Sequence, residues 1–133
     1  MHQARIARSG EEVTLICYGP MVDTCLEAAK EASQEGRKLE VIDVRSLSPL
    51  DMATVYESVR RTTRAIVVQE APRTQGVGAE IAARLGEELY YVMEAPVLRV
   101  TGWSTPYPPA KAEGEHIPDV DRILDAVDRS LAF

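Results

Sequence analysis

The sequence predicts a single α/β domain, a three-layer α/β/α sandwich on a mostly parallel sheet of about five strands. Three observations carry that prediction. Apolar runs of strand length alternate with helical patterns along the chain, the order that yields parallel sheets covered on both faces. The run Ala65-Ile66-Val67-Val68 is almost continuously apolar, as strands buried on both faces are. The length of 133 residues, 45% of them hydrophobic and 27% charged, suits one globular domain with a sizeable core.

Each element follows in order. Ala4 to Arg8 precedes a Ser9-Gly10-Glu11-Glu12 turn and is placed to add an antiparallel strand. Val13 to Tyr18 is rich in strand formers and stops at Gly19-Pro20. Residues 21–35 set Val22, Cys25, Leu26, Ala29 and Ala32 at helical spacing, ending near Gly36. Leu39 to Val44 is a second strand. Ser48-Pro49-Leu50-Asp51 offers a turn and an N-cap for a helix over 52–61, with Val55 and Val59 inward. Ala65 to Glu70 is a third strand, and 71–78 a loop. A helix over 79–91 carries Ile81, Ala82, Leu85 and Leu89 on one side. Pro96 to Thr101 is a further strand and 102–118 a loop. Asp119 to Leu131 closes the domain as a helix with Val120, Ile123, Leu124, Val127 and Leu131 inward.

Charge narrows the function. A net charge of −6 argues against nucleic acid, which wants clustered cations. Only Arg60-Arg61 and Arg64 gather locally. Over residues 113–133, Glu113, Glu115, Asp119, Asp121, Asp125 and Asp128 stand against Arg122 and Arg129. Four of the six excess negative charges therefore fall there, as a solvated helix face or a surface for a basic partner. No apolar run approaches the roughly 18–20 residues of a membrane helix. Met1-His2-Gln3 leads into no signal-peptide stretch and reads as a cloning remnant before a domain over 4–133. A cytoplasmic protein is expected. Cys17 and Cys25 are too few for a disulfide scaffold and read as small buried hydrophobes.

Motifs for catalysis are mostly missing. Gln75-Gly76-Val77-Gly78-Ala79-Glu80 precedes a helix, but a dinucleotide fingerprint needs a third small residue where Ile81 stands, and a Walker loop needs Gly-Lys-Ser/Thr. A helix-capping turn is the better reading, with an anion site as the alternative. There is no Gly-x-Ser-x-Gly elbow, no His-Glu-x-x-His and no Cys-x-x-Cys. The histidines, His2 and His116, lie near the start and in a late loop. No catalytic, cofactor-binding or metal residue is assigned. Glu70, directly after a buried strand, is a charge expected to be held by Arg45 or Arg73, in an ion pair fixing a loop or a subunit interface. Thr101-Gly102-Trp103-Ser104-Thr105-Pro106-Tyr107-Pro108-Pro109 should be stiff and extended. It either covers the sheet edge or serves as an interface arm, with Trp103 and Tyr107 as anchors.

These residues resemble one family. The segments 10–19 (Gly-Glu-Glu-Val-Thr-Leu-Ile-Cys-Tyr-Gly), 40–51, 67–82, 95–102, 105–108 (Thr-Pro-Tyr-Pro) and 117–123 (Ile-Pro-Asp-Val-Asp-Arg-Ile) resemble, in order, a transketolase-type C-terminal domain. It is that of the beta subunit of pyruvate and branched-chain 2-oxo acid dehydrogenases. The resemblance implies a five-stranded mixed sheet whose first strand is antiparallel. It also implies thiamine diphosphate and magnesium in the parent enzyme, bound and activated by a preceding domain and an alpha subunit, so no catalytic residue is carried over. Partners implied are the alpha subunit, the rest of the beta subunit, a second beta subunit, and the basic subunit-binding domain of the acyltransferase core. Asp125, Asp128 and the terminal carboxylate of Phe133 would face that last partner. Two features depart from the pattern: Ser104 stands where relatives often have an acidic residue, and Gly114-Glu115-His116-Ile117 replaces an aromatic or aliphatic run. The equivalent domains of transketolase and of deoxyxylulose-phosphate synthase are less similar in the Thr-Gly-x-x-Thr-Pro-x-Pro loop. The competing reading is a free-standing α/β enzyme or small-ligand binder working at the strand ends around Glu70.

Overall fold

The computed structural model describes residues 2–103 and 116–133. Strands β1 (Arg5–Arg8), β2 (Val13–Cys17), β3 (Leu39–Asp43), β4 (Ala65–Pro72) and β5 (Leu98–Gly102) form one sheet in the order β1-β3-β2-β4-β5. Helices α1 (Met21–Ser33), α2 (Met52–Thr62), α3 (Val77–Leu89) and α4 (Val120–Leu131) complete the described elements. Only β1 runs antiparallel, against β3; every other pairing is parallel. The expected architecture is present.

Alternation along the central strand builds the two hydrophobic layers. Val13, Leu15 and Cys17 point to one face of β2, where α1 and α4 bury them together with Ile66, Val68 and Ile123. Ile16 points to the other face, against Val55 and Val59 of α2 and Ile81 and Leu85 of α3. Each such fully buried aliphatic side chain adds about 1.5–3 kcal/mol. Burial on both faces is why these strands read as apolar runs rather than as alternating ones.

Helix ends explain where the boundaries shift from expectation. Asp51 caps α2, accepting from the Thr54 N–H at 3.1 Å, from the Thr54 hydroxyl at 2.6 Å and from the Ala4 N–H at 2.9 Å. Those bonds, the Thr54 hydroxyl first, hold its carboxyl below the ordinary range against a burial that acts the other way. Helix α3 starts at Val77, earlier than the periodicity implied, because Gly76 takes the N-cap position. Strand β4 outruns its apolar stretch: a register shift after Val68 brings Pro72 opposite Gly102.

The amino end of the sheet holds a buried polar network. Glu40 of β3 is fully buried. Its carboxylate accepts from the Gly10 N–H at 3.2 Å, from the Ser58 hydroxyl in a short bond, and from Arg61 Nη2 at 3.1 Å. Thr14 Oγ1 lies 2.9 Å from Ser58 Oγ and 2.7 Å from Thr62 Oγ1, and Thr62 donates to the Arg64 carbonyl at 3.1 Å. Gly10 is required here: a Cβ would stand 2.2 Å from the Leu39 carbonyl carbon. Nearby, Arg64 reaches the Ser130 carbonyl with Nε at 3.0 Å, Glu94 with Nη1 at 3.1 Å and the Phe133 oxygen with Nη2 at 3.3 Å. It thereby ties the end of α4 to the start of β4.

Candidate functional site

Strand order places the reversal of winding between β2 and β4, so the crevice favoured by ligands in such sheets lies past Cys17 and Gln69. A side chain occupies it. Gln69 is fully buried and faces the amino end of α3. Its Oε1 accepts from the Gly78 N–H at 2.7 Å, and its Nε2 donates to the Pro72 carbonyl at 3.0 Å. A Cβ at Gly76 would sit 2.3 Å from that Nε2. The glycines thus admit the amide of Gln69, and the N–H that a phosphate would take is already given away. Tyr18 closes the same crevice, its hydroxyl 3.5 Å from Gln69 Oε1. Burial, and then the charge of Glu70, push that phenol above its ordinary value. Gly19, Arg45 and Gln75, one after each of β2, β3 and β4, hold positive φ of 61°, 66° and 63°.

The expected ion pair of Glu70 is absent among the described residues, and the geometry says why. Arg45 is exposed in its left-handed turn after β3, separated from β4 by β2; its own N–H donates to Asp43 at 3.1 Å. Arg73 turns the other way, along β5. Its Nη1 donates to the Arg99 carbonyl at 3.1 Å, and Arg99 Nη1 returns a bond to the Arg73 carbonyl at 2.9 Å. Burial, then the charge of Arg73, lower Arg99 from the usual guanidinium value.

Beside this pair, a groove of about 440 Å³ runs between β5 and α4. Arg122, three residues after the α4 N-cap Asp119, donates Nη2 to the Thr101 carbonyl at 2.7 Å and stacks 4.7 Å from the Trp103 ring centre. Burial lowers it, opposed by Asp119. Among the described residues its buried Nη1 has no hydrogen-bond partner, as does the neutral Ser130 hydroxyl. Arg73, Arg99 and Arg122 have no carboxylate within salt-bridge reach there, unlike Arg129, which pairs with Asp125 at 3.0 Å. Asp119 is spent on the Arg122 N–H at 2.8 Å as the helix cap.

Of the residues the sequence nominated, Arg73, Trp103 and Asp125 meet in this groove. Asp128 lies exposed farther along α4. Phe133 sits at the opposite end of the helix, 66% exposed, on the rim of an apolar groove of about 510 Å³ lined by Tyr90, Met93, Pro96 and Val97. Tyr107 lies outside the described residues. Arg99, Arg122 and Gln69 were not nominated; an arginine inside an apolar strand and a glutamine closing an apolar run were the available signals. His116 is buried against Gly102, whose missing Cβ would stand 2.6 Å from its Nε2. Cys17 and Cys25 are both buried; the Cys25 thiol and burial push Cys17 upward, so it persists as a thiol. No metal-type cluster and no helix long and apolar enough to cross a membrane occurs among the described residues.

Comparison with known proteins places this arrangement. A model of the transketolase C-terminal domain matches residues 2–123. The chain belongs to the transketolase C-terminal domain family. Across all of its length it is 53% identical to a pyruvate dehydrogenase E1 component subunit beta of Leifsonia xyli subsp. xyli. Over 96% of its length it is 50% identical to a 3-methyl-2-oxobutanoate dehydrogenase subunit beta of Mycobacterium tuberculosis. It spans 40% and 37% of those two relatives. Among solved structures, a split gene transketolase described as an inactive beta4 tetramer superposes over 98% of this chain and 42% of its own, with TM-score 0.85 and 29% identity. A 2-oxoglutarate:ferredoxin oxidoreductase from Magnetococcus marinus shares the fold alone, at TM-score 0.61 and 16% identity over 96% of this transketolase C-terminal domain and 19% of its own chain.

Proposed function

We propose that this chain is the C-terminal assembly and docking domain of a 2-oxo acid dehydrogenase beta subunit, and that it does not itself catalyse. The observation that carries this reading is 53% identity along the entire chain to a pyruvate dehydrogenase subunit beta, 40% of whose length it spans. In the parent enzyme, thiamine diphosphate with magnesium would decarboxylate the 2-oxo acid and pass the acyl group to a lipoyl arm. The cofactor supplies the electron sink, and the protein supplies orientation. This domain holds its neighbours in register: the preceding beta-subunit domain, the alpha subunit and a second beta subunit. Exposed Tyr90, Tyr91, Val92 and Phe133 around the apolar groove support an assembly role, since such patches mark interaction sites. A cytoplasmic setting accompanies that role.

The α4 face with Asp125 and Asp128, together with Phe133, would receive the basic subunit-binding domain of the acyltransferase core, where rim charges steer encounter. Calorimetric titration with that domain tests the reading. Binding should weaken with salt, and Asp125→Lys with Asp128→Lys should lower both the affinity and its salt slope; an unchanged slope would remove the assignment. Thiamine diphosphate should leave the melting temperature unmoved, because only a ligand bound to the folded state raises it. A clear rise would reinstate a small-ligand role, against which the filled Gln69 crevice argues.

A further inference from the structure

We propose that the groove between β5 and the first turns of α4 is a docking site for a carboxylate-bearing segment of a partner polypeptide, bordering the acyltransferase surface above at Asp125. Three guanidinium groups line it, Arg73 from just after β4, Arg99 from β5 and Arg122 from α4, none with a carboxylate partner among the described residues. Arg73 and Arg122 each place one N–H on a carbonyl of the edge strand, Arg99 and Thr101 respectively. That has two consequences. The edge carbonyls are covered, so a partner cannot simply add a strand by backbone pairing. The three guanidinium groups line the groove, and Arg122 Nη1 is buried with no acceptor among the described residues. A buried cationic donor without an acceptor is costly, and a carboxylate matches the two-pronged donor geometry of arginine.

The carboxylates of α4 and its cap decide which acceptor fits. Asp119 and Asp125 are already committed, to the helix cap and to Arg129, while Asp121 is exposed and adds negative charge near the groove mouth. Those carboxylates disfavour a doubly charged phosphate more than a single carboxylate held on the far side. Trp103, 56% exposed and braced by Arg122, offers an aromatic surface for the stem of an acidic side chain, as interface tryptophans do. A peptide segment supplies both the charge and the stem.

Trp103 is the only tryptophan, so its emission reports on the groove. Titration of the 133-residue chain with acetyl-tetraglutamate amide at constant ionic strength should change that emission saturably, and acetyl-tetraglutamine amide should not. Arg122→Gln should weaken the response about tenfold or more, the loss expected for one charged hydrogen bond, and Arg122→Lys should restore only part. Arg99→Gln, on the strand side, should weaken it as well, and carries the test if Arg122→Gln does not fold. The proposal is overturned by no saturable response to tetraglutamate, by an equal response to tetraglutamine, by a tighter response to inorganic phosphate, or by unchanged affinity in Arg99→Gln.

Discussion

Two regions of this domain bury ionisable side chains, and they resolve the problem in opposite ways. At the amino end of the sheet, Glu40 is enclosed, and its oxygens meet Gly10, Ser58 and Arg61, with Thr14 and Thr62 extending the chain of bonds. Along the β5 flank, Arg122 is partly enclosed and one of its nitrogens meets nothing among the described residues. A closed network of this kind belongs to the fold: its partners all come from the same domain, and each would be left unpaired by the loss of another. An open one suits an interface. The contrast separates the part of the molecule that keeps its shape from the part that, in the docking proposal, another polypeptide would complete.

The largest effect should come from the closed side. Glu40→Ala leaves the Gly10 N–H, the Ser58 hydroxyl and Arg61 without their acceptor, which should cost on the order of 3 kcal/mol. A lower urea midpoint at unchanged slope would show it. Arg122→Ala should cost far less; if the two costs were equal, the contrast would collapse. Gln69→Ala should come next, at about 2 kcal/mol, because it strands the buried Gly78 N–H and the Pro72 carbonyl. Hydrogen exchange should quicken over 71–78 first, leaving β2 and β3 protected. The smallest change lies at the carboxyl end of the sheet, where Asp51 meets the Ala4 N–H: Asp51→Ala should cost about 1 kcal/mol through loss of the α2 cap. The pH dependence has a fixed sign. The folded carboxyl lies below its ordinary value of 3.8, so its contribution is complete above that value and is lost as pH falls through the folded one. The gap between wild type and Asp51→Ala in urea melts should therefore narrow only in acid.

Most of the architecture was legible because burial on both faces writes itself as uninterrupted apolar runs, as in Val13–Cys17 and Ala65–Val68. Asp51 announced its cap through its position after Ser48-Pro49. The sites were harder to see. Glu40 sits in Leu39-Glu40-Val41-Ile42, where a lone acid looks like a solvated strand residue, and only the approach of α2 makes it central. The pairing proposed for Glu70 failed because spacing cannot say which way a loop carries Arg73; the bulge after Val68 sends it along β5. Arg99 and Arg122 are 23 residues apart in sequence, so no local pattern links them. The acidic run of α4 was visible, yet its pairing of Asp125 with Arg129 is a surface contact of small energetic weight.

The clamp made by Arg64 bears on the order in which the domain is made. Its acceptors on Ser130 and Phe133 lie 66 and 69 residues downstream, on the last of the described helices to leave the ribosome. Elements β1 to β5 can therefore emerge and pair while the face later covered by α4 still exposes Ile66 and Val68. Until that helix arrives, the nascent sheet presents a greasy flank to the cell, and a chaperone would find its natural foothold there.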